Sequence, residues 1–235
     1  MDPVLSAAAL GFVLGLQHAT DPDHVVAVAT IVTREKAFLG GARVGLLWGL
    51  GHTLALAAAG GVLVALDLTV PPGVARGLEL LVAAMLVVLG ALRLREAARG
   101  IVAVAPPERV ADHQHGPRAR HGAVHAHDGH AHVHPEPALL DAAGIRAITV
   151  GAVHGVAGTA AVALLVLATL HTAFAAAVYL AVFGLGTLAG MTALTALMAY
   201  PAARLAGVPR MRAAMGVVSG LAAIVFGFWY AARLV

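Results

Sequence analysis

GFVLGLQHATDPDHVVAVATIV, residues 11–32, embeds two histidines and two aspartates in a largely apolar stretch. With the apolar residues before it, the segment runs from about 4 to 31, longer than the roughly 20 residues a helix needs to cross a membrane. An aspartate at the centre of such a span costs roughly 2.5–3.5 kcal/mol on insertion scales, so HATDPDH (18–24) is strongly unfavourable there unless it pairs, protonates or binds something. Ionisable residues inside a span are functional candidates by default.

On an uninterrupted helix, His18 and Asp21 share a face, as do Asp21 and His24, while Asp23 points elsewhere. Pro22 disturbs that register. It has no N–H for the His18 carbonyl and its ring disfavours a regular turn, so the chain is predicted to kink or unwind there. A break would free carbonyls and let side chains converge. The sequence has no Cys, which excludes thiolate ligation, iron–sulfur clusters and disulfides. Imidazole with carboxylate suits Ni²⁺, Co²⁺, Zn²⁺ or Cu²⁺ and is a poor match to the all-oxygen preference of Mg²⁺ and Ca²⁺.

Two further histidines belong to the same argument. LGHTLAL (50–56) sets His52 and Thr53 behind a Gly-x-Gly that lets another helix approach closely, which makes His52 the candidate third imidazole; a histidine merely packed between helices is the alternative. His154, in GAVHG (151–155), either gates or completes the site or packs in the same ordinary way.

Composition extends the membrane reading to the whole chain: 60% hydrophobic and 11% charged, against roughly 45–50% and about 25% in soluble domains. Six stretches are long enough to cross, near 4–31, 44–66, 74–94, 145–169, 173–200 and 211–232. The N-terminal stretch lacks the basic region of a signal peptide and is expected to be retained as the first span. Arg34, Lys36 and Arg43, then Arg95, Arg99, Arg109, Arg118 and Arg120, then Arg204 and Arg210, concentrate in alternate connectors. The positive-inside bias puts those connectors in the cytoplasm and both termini outside, in a bacterial-type inner membrane. Scattered singly, without interleaved aromatics, these cations give no nucleic-acid surface despite a pI near 9.9.

The halves resemble each other. GLQHA (15–19) matches GAVHG (151–155), WGLG (48–51) matches FGLG (183–186), and Arg76 to Gly90 matches Arg212 to Gly227, all at offsets of 135 to 137. A repeat of three spans must insert upside down the second time, the layout of many secondary transporters, with binding where the repeats meet. The expected fold is therefore all-α and integral to the membrane: six transmembrane helices as two inverted three-helix repeats, residues 1–100 and 144–235. Between them, 101–143 is a His-rich cytoplasmic loop whose composition predicts disorder. Eight of the thirteen histidines fall in its 113–134 stretch, several as His-x-His, and read as a metal buffer or as an inert linker.

HATDPDHV resembles the HAxDADHI signature of the nickel/cobalt transporter family, and LGHTLAL resembles that family's second motif, LGHSTVV. The likeness is strongest at 15–32 and 48–56. It implies that His18, Asp23 and His24, with His52 from the second motif, bind metal within membrane helices, and that Asp21 matches the other acid. Six spans instead of eight, Pro22 in place of Ala, and HGVAGTAA (154–161) where larger members carry an acidic third motif make the chain similar to the shorter, UreH-type permease branch.

The function expected from this is secondary transport of Ni²⁺, with Co²⁺ second, as the transported substrate, without a resident cofactor. No Walker motif points to ATP hydrolysis, and neither HExxH nor a nucleophile with a paired base points to an enzyme. A divalent ion moving inward gains about 4.6 kcal/mol per 100 mV of inside-negative potential, which makes uptake simple. The alternatives are an exporter supplied by the His-rich loop, and a non-transporting accessory that hands metal to urease or hydrogenase maturation proteins.

Overall fold

The structure is a computed structural model that describes residues 3–33, 38–66, 68, 70–102, 125–127, 130–132, 141–157, 172–205 and 208–235. Seven helices run through these residues: α1 (Pro3–His18), α2 (Pro22–Val32), α3 (Phe38–Ala65), α4 (Pro72–Val102), α5 (Ala142–Ala157), α6 (Ala173–Leu205) and α7 (Pro209–Leu234). Between α4 and α5 the short strands β1 (His125–His127) and β2 (His130–His132) pair antiparallel, where composition alone predicts no order. Residues 103–124, 128–129 and 133–140 of the His-rich loop lie outside the described residues, as do 158–169 of the fourth candidate span and His171.

Four helices, α3, α4, α6 and α7, are long and apolar enough to cross a membrane. Their outward faces carry exposed Leu54, Val88, Leu197, Val218 and Val225, more apolar surface than a water-soluble protein leaves bare. This is an all-helical membrane protein. The first candidate span is not one helix but two, α1 and α2, joined by a turn at Ala19 and Thr20.

Proline explains that break. Pro22 is the first residue of α2, just as Pro72 and Pro209 begin α4 and α7; at this position the missing N–H costs nothing, because the first helical donors have no intrahelical partner. A residue before proline is pushed out of the helical region, and Asp21 duly sits at φ −57°, ψ 141° as the N-cap, its carbonyl accepting from Val25 N at 3.0 Å.

The helices associate mainly as α1 on α6, α3 on both α5 and α6, and α4 on α7. Lipid chains are as apolar as leucine, so helices in a bilayer gain from close packing, which small residues permit. A Cβ on Gly15 would collide with the Phe183 carbonyl, and one on Gly151 with the Trp48 carbonyl. Gly51 likewise abuts the Ile148 carbonyl and Gly186 the Phe12 carbonyl.

Helix α2 lies at the centre and touches α3, α4, α6 and α7. Its Ala27, Val28, Ile31 and Val32 pack with Val44, Leu47 and Trp48 of α3, Leu86 of α4 and Met191 of α6. The buried Arg93 of α4 anchors its far end, donating from Nε to Thr33 Oγ1 (3.1 Å) and from Nη2 to the Thr33 carbonyl (3.2 Å). That satisfies a terminal carbonyl and sets a cation against the negative end of the helix.

Candidate metal centre

The broken span delivers its polar residues from three local positions: His18 ends α1, Asp21 caps α2, and Asp23 and His24 lie in the first turn of α2. Helix α3 adds His52 and α5 adds His154. His24, His52 and His154 are fully buried, and His18 and Asp23 nearly so. The His24 ring is the hub, with centroids 4.7 Å from His18, 5.1 Å from His52 and 4.3 Å from His154.

The hydrogen bonds set the proton positions. An ionised carboxylate only accepts, so His18 Nδ1 donates to Asp21 Oδ2 at 2.8 Å, and Asp23 receives both His24 Nδ1 at 3.2 Å and His154 Nε2 at 2.8 Å. With its Nδ1 protonated, neutral His18 can only accept at Nε2, so His52 Nε2 donates to it across 3.1 Å. The atoms left buried without a hydrogen-bond partner include His24 Nε2, His52 Nδ1 and His154 Nδ1, each carrying a lone pair in these tautomers. An unpaired buried acceptor is costly, and a neutral imidazole with its other N–H held by a carboxylate is the arrangement that metal-binding histidines use.

Two aromatic side chains close on the cluster. Trp48 of α3 lies 5.5 Å from the His24 ring and 6.0 Å from His154, while Phe183 of α6 lies 5.6 Å from His18. Sequence reading uses these two only as the matching positions of WGLG and FGLG; it does not assign them to the site. That pairing is nevertheless the signal that could have found them.

All six candidate residues, His18, Asp21, Asp23, His24, His52 and His154, come together. The helical-face argument fails for Asp23: it points not away but between His24 and His154. Asp21 in turn is hydrogen-bonded by His18. The cause is the restart of the helix at Pro22, which rotates α2 out of register with α1.

Nitrogen and oxygen donors at such spacing can take a transition-metal ion: His18, His24 and His52 form one buried group of potential ligands, and Asp23, His24 and His154 another. The molecule is thus an all-helical membrane protein with a buried histidine–carboxylate cluster at a helix break. Its sequence is 32% identical over 159 residues to the urease accessory protein UreH of Bacillus sp. (strain TB-90), a match covering 67% of this chain and 61% of that relative. The chain belongs to the UreH-type family, and the matched stretch spans less than two thirds of that relative's length. No family model and no solved structure matches it.

Proposed function

We propose that the protein is a permease that carries Ni²⁺, and Co²⁺ second, inward across the cytoplasmic membrane for metalloenzyme maturation. The observation that carries this reading is the crowding of four imidazoles and two carboxylates around a helix break, three of the imidazoles fully buried. The kinship with a protein named for urease accessory work supports a role in supplying metal to such an enzyme.

An inverted repeat accounts for how the helices pair. If α1 corresponds to α5, α3 to α6 and α4 to α7, then the α1–α6 pair is the counterpart of α3–α5, while α3–α6 and α4–α7 each map onto themselves. Glycine contacts follow the same rule: Gly15 on Phe183 is matched by Gly151 on Trp48, and Gly51 on Ile148 by Gly186 on Phe12. Six spans, with α1 and α2 as the halves of the first, and cytoplasmic basic connectors complete the proposed layout. The ion sheds water on entering from outside, binds at His18, Asp21 or Asp23, His24 and His52, and leaves inward when one repeat rocks against the other. Imidazoles ligate only when neutral, so uptake should fall as pH drops below about 6.5 with the potential clamped.

The test is ⁶³Ni²⁺ uptake into liposomes holding the purified protein under an inside-negative potential, with wild type, His24→Ala and a deletion of 112–136 compared. Flux lost in His24→Ala and kept in the deletion supports a permease with its site at the break. The word accessory in the relative's name favours a second reading, a membrane protein that passes metal on without transport. No flux in the folded protein under either gradient would establish that alternative, and higher metal tolerance in expressing cells would turn the direction to export.

A further inference from the structure

The candidate ligand atoms of the buried cluster fall into two groups and not one. Its two groups of potential ligands, His18 with His24 and His52, and Asp23 with His24 and His154, each keep their ligand atoms within 4.8 Å of one another and share only His24. By ring centroids, His52 and His154 lie 6.0 Å apart, against 5.2 Å between His18 and His52 and 4.3 Å between His24 and His154. The two groups are also bonded separately: His18 and His52 contact each other at 3.1 Å, while His154 is held by Asp23 at 2.8 Å. Each has an unpartnered buried nitrogen of its own, His52 Nδ1 in one and His154 Nδ1 in the other, beside the shared His24 Nε2.

Charge limits how many ions can be present. Asp21 and Asp23 together balance one divalent cation, and a second would leave two positive charges unmatched among buried side chains, where charge is expensive. We propose that the cluster offers one divalent cation two alternative positions that share His24, the first made by His18, His24 and His52 and the second by Asp23, His24 and His154. The ion moves between them by exchanging His52 and His18 for Asp23 and His154 while His24 remains bound.

The two positions differ in which half builds them. Every ligand of the first comes from residues 18–52, whereas the second requires His154 of α5, which belongs to the other half. Displacing α5 relative to α2 dismantles the second position and leaves the first intact. This rests on the transport reading and gives it a step: rocking of the halves changes which position exists.

The experiment uses the full chain purified in detergent, with Co²⁺ as the probe, read by equilibrium binding and by the visible absorption of the bound ion. His52→Gln and His154→Gln keep a polar side chain of similar reach, and elution as a monodisperse peak with unchanged helical circular dichroism identifies folded protein. Wild type should bind one ion. Each single variant should still bind one, with distinct spectra, all-imidazole for His154→Gln and mixed oxygen–nitrogen for His52→Gln. Folded His24→Ala and the double variant His52→Gln/His154→Gln should bind none. In liposomes both single variants should lose at least nine tenths of the flux although they bind. Loss of binding in either folded single variant, identical spectra, or two ions in wild type would overturn the two-position proposal and leave the permease reading standing. Binding as expected without flux in wild type would overturn the permease reading alone, and no binding by wild type would overturn both.

Discussion

Residues up to His52 hold five of the six clustered ionisable side chains, and the second half supplies one, His154. Yet the frame around them is alike on both sides. Gly15 and Gly151 each let a helix approach a neighbouring carbonyl, and the residues carrying those carbonyls, Phe183 and Trp48, are the matching aromatic residues that close on the cluster. Where α3 has His52, α6 has Thr187 at the same offset, buried and with its hydroxyl unpartnered. Packing and ionisable side chains have therefore separated: the close approach of helices is present twice and the clustered ionisable residues almost once. Insertion energy favours that division, since every further aspartate placed in a span adds roughly 2.5–3.5 kcal/mol.

The largest effects should come from breaking the shared frame. Gly15→Leu and Gly151→Leu each push a side chain into a backbone carbonyl that has no rotamer to escape into, so each should cost about 3 kcal/mol or more and abolish the monodisperse peak in detergent. Gly61→Leu and Gly77→Leu, where nothing lies within 4 Å, should leave it unchanged. A collapse confined to one of the two glycine variants would show that the frame is not duplicated in its energetics.

Much of this comparison is legible in the sequence, for physical reasons that differ by residue. Charge inside an apolar run is conspicuous because it is expensive, so HATDPDH, His52 and the matching His154 stand out without a structure. The glycine and aromatic matches are visible as repeats, but what Gly15 or Trp48 touches depends on helix packing, which no local pattern encodes. The partners of Asp23 are not legible for a different reason: proline forecasts a break, but not the angle at which the next helix restarts. Arg93 gives no signal, because an arginine near the end of an apolar helix is ordinarily an interfacial anchor, and only the packed fold brings it to the end of α2.

Arg93 supplies an intermediate effect. At its matching offsets the second half has Trp229 and Tyr230, so the contact with the end of α2 has no cationic counterpart there. Arg93→Met removes two charge-assisted hydrogen bonds to Thr33, and should cost about 1.5–3 kcal/mol, read as a lower melting temperature in detergent. Arg93→Lys should restore only part of it, because a single ammonium cannot reproduce the guanidinium fork. Full stability in Arg93→Met would mean that α2 is held by its apolar face alone.

The smallest effect should come from the more exposed of the two ion pairs that join the halves among the described residues. Arg43 of α3 reaches both carboxylate oxygens of Asp141 at 2.7 Å, while the same carboxylate accepts from Gly144 N at the start of α5. The Arg43 guanidinium, then the Gly144 amide, hold the Asp141 carboxyl below its ordinary range. A lowered carboxylate pKa stabilises the fold above the ordinary value, and the contribution disappears as pH falls through the lowered one. Asp141→Asn should therefore reduce the melting temperature slightly at neutral pH and converge with wild type in acid. Because exposed ion pairs contribute little, its flux should stay within about twofold of wild type. The deeper link, Asp23 to His154, is buried on both sides. Should Asp141→Asn reduce flux as far as His154→Gln does, α5 would be positioned chiefly by its exposed end, and the buried hydrogen bond would be a consequence of that placement and not its cause.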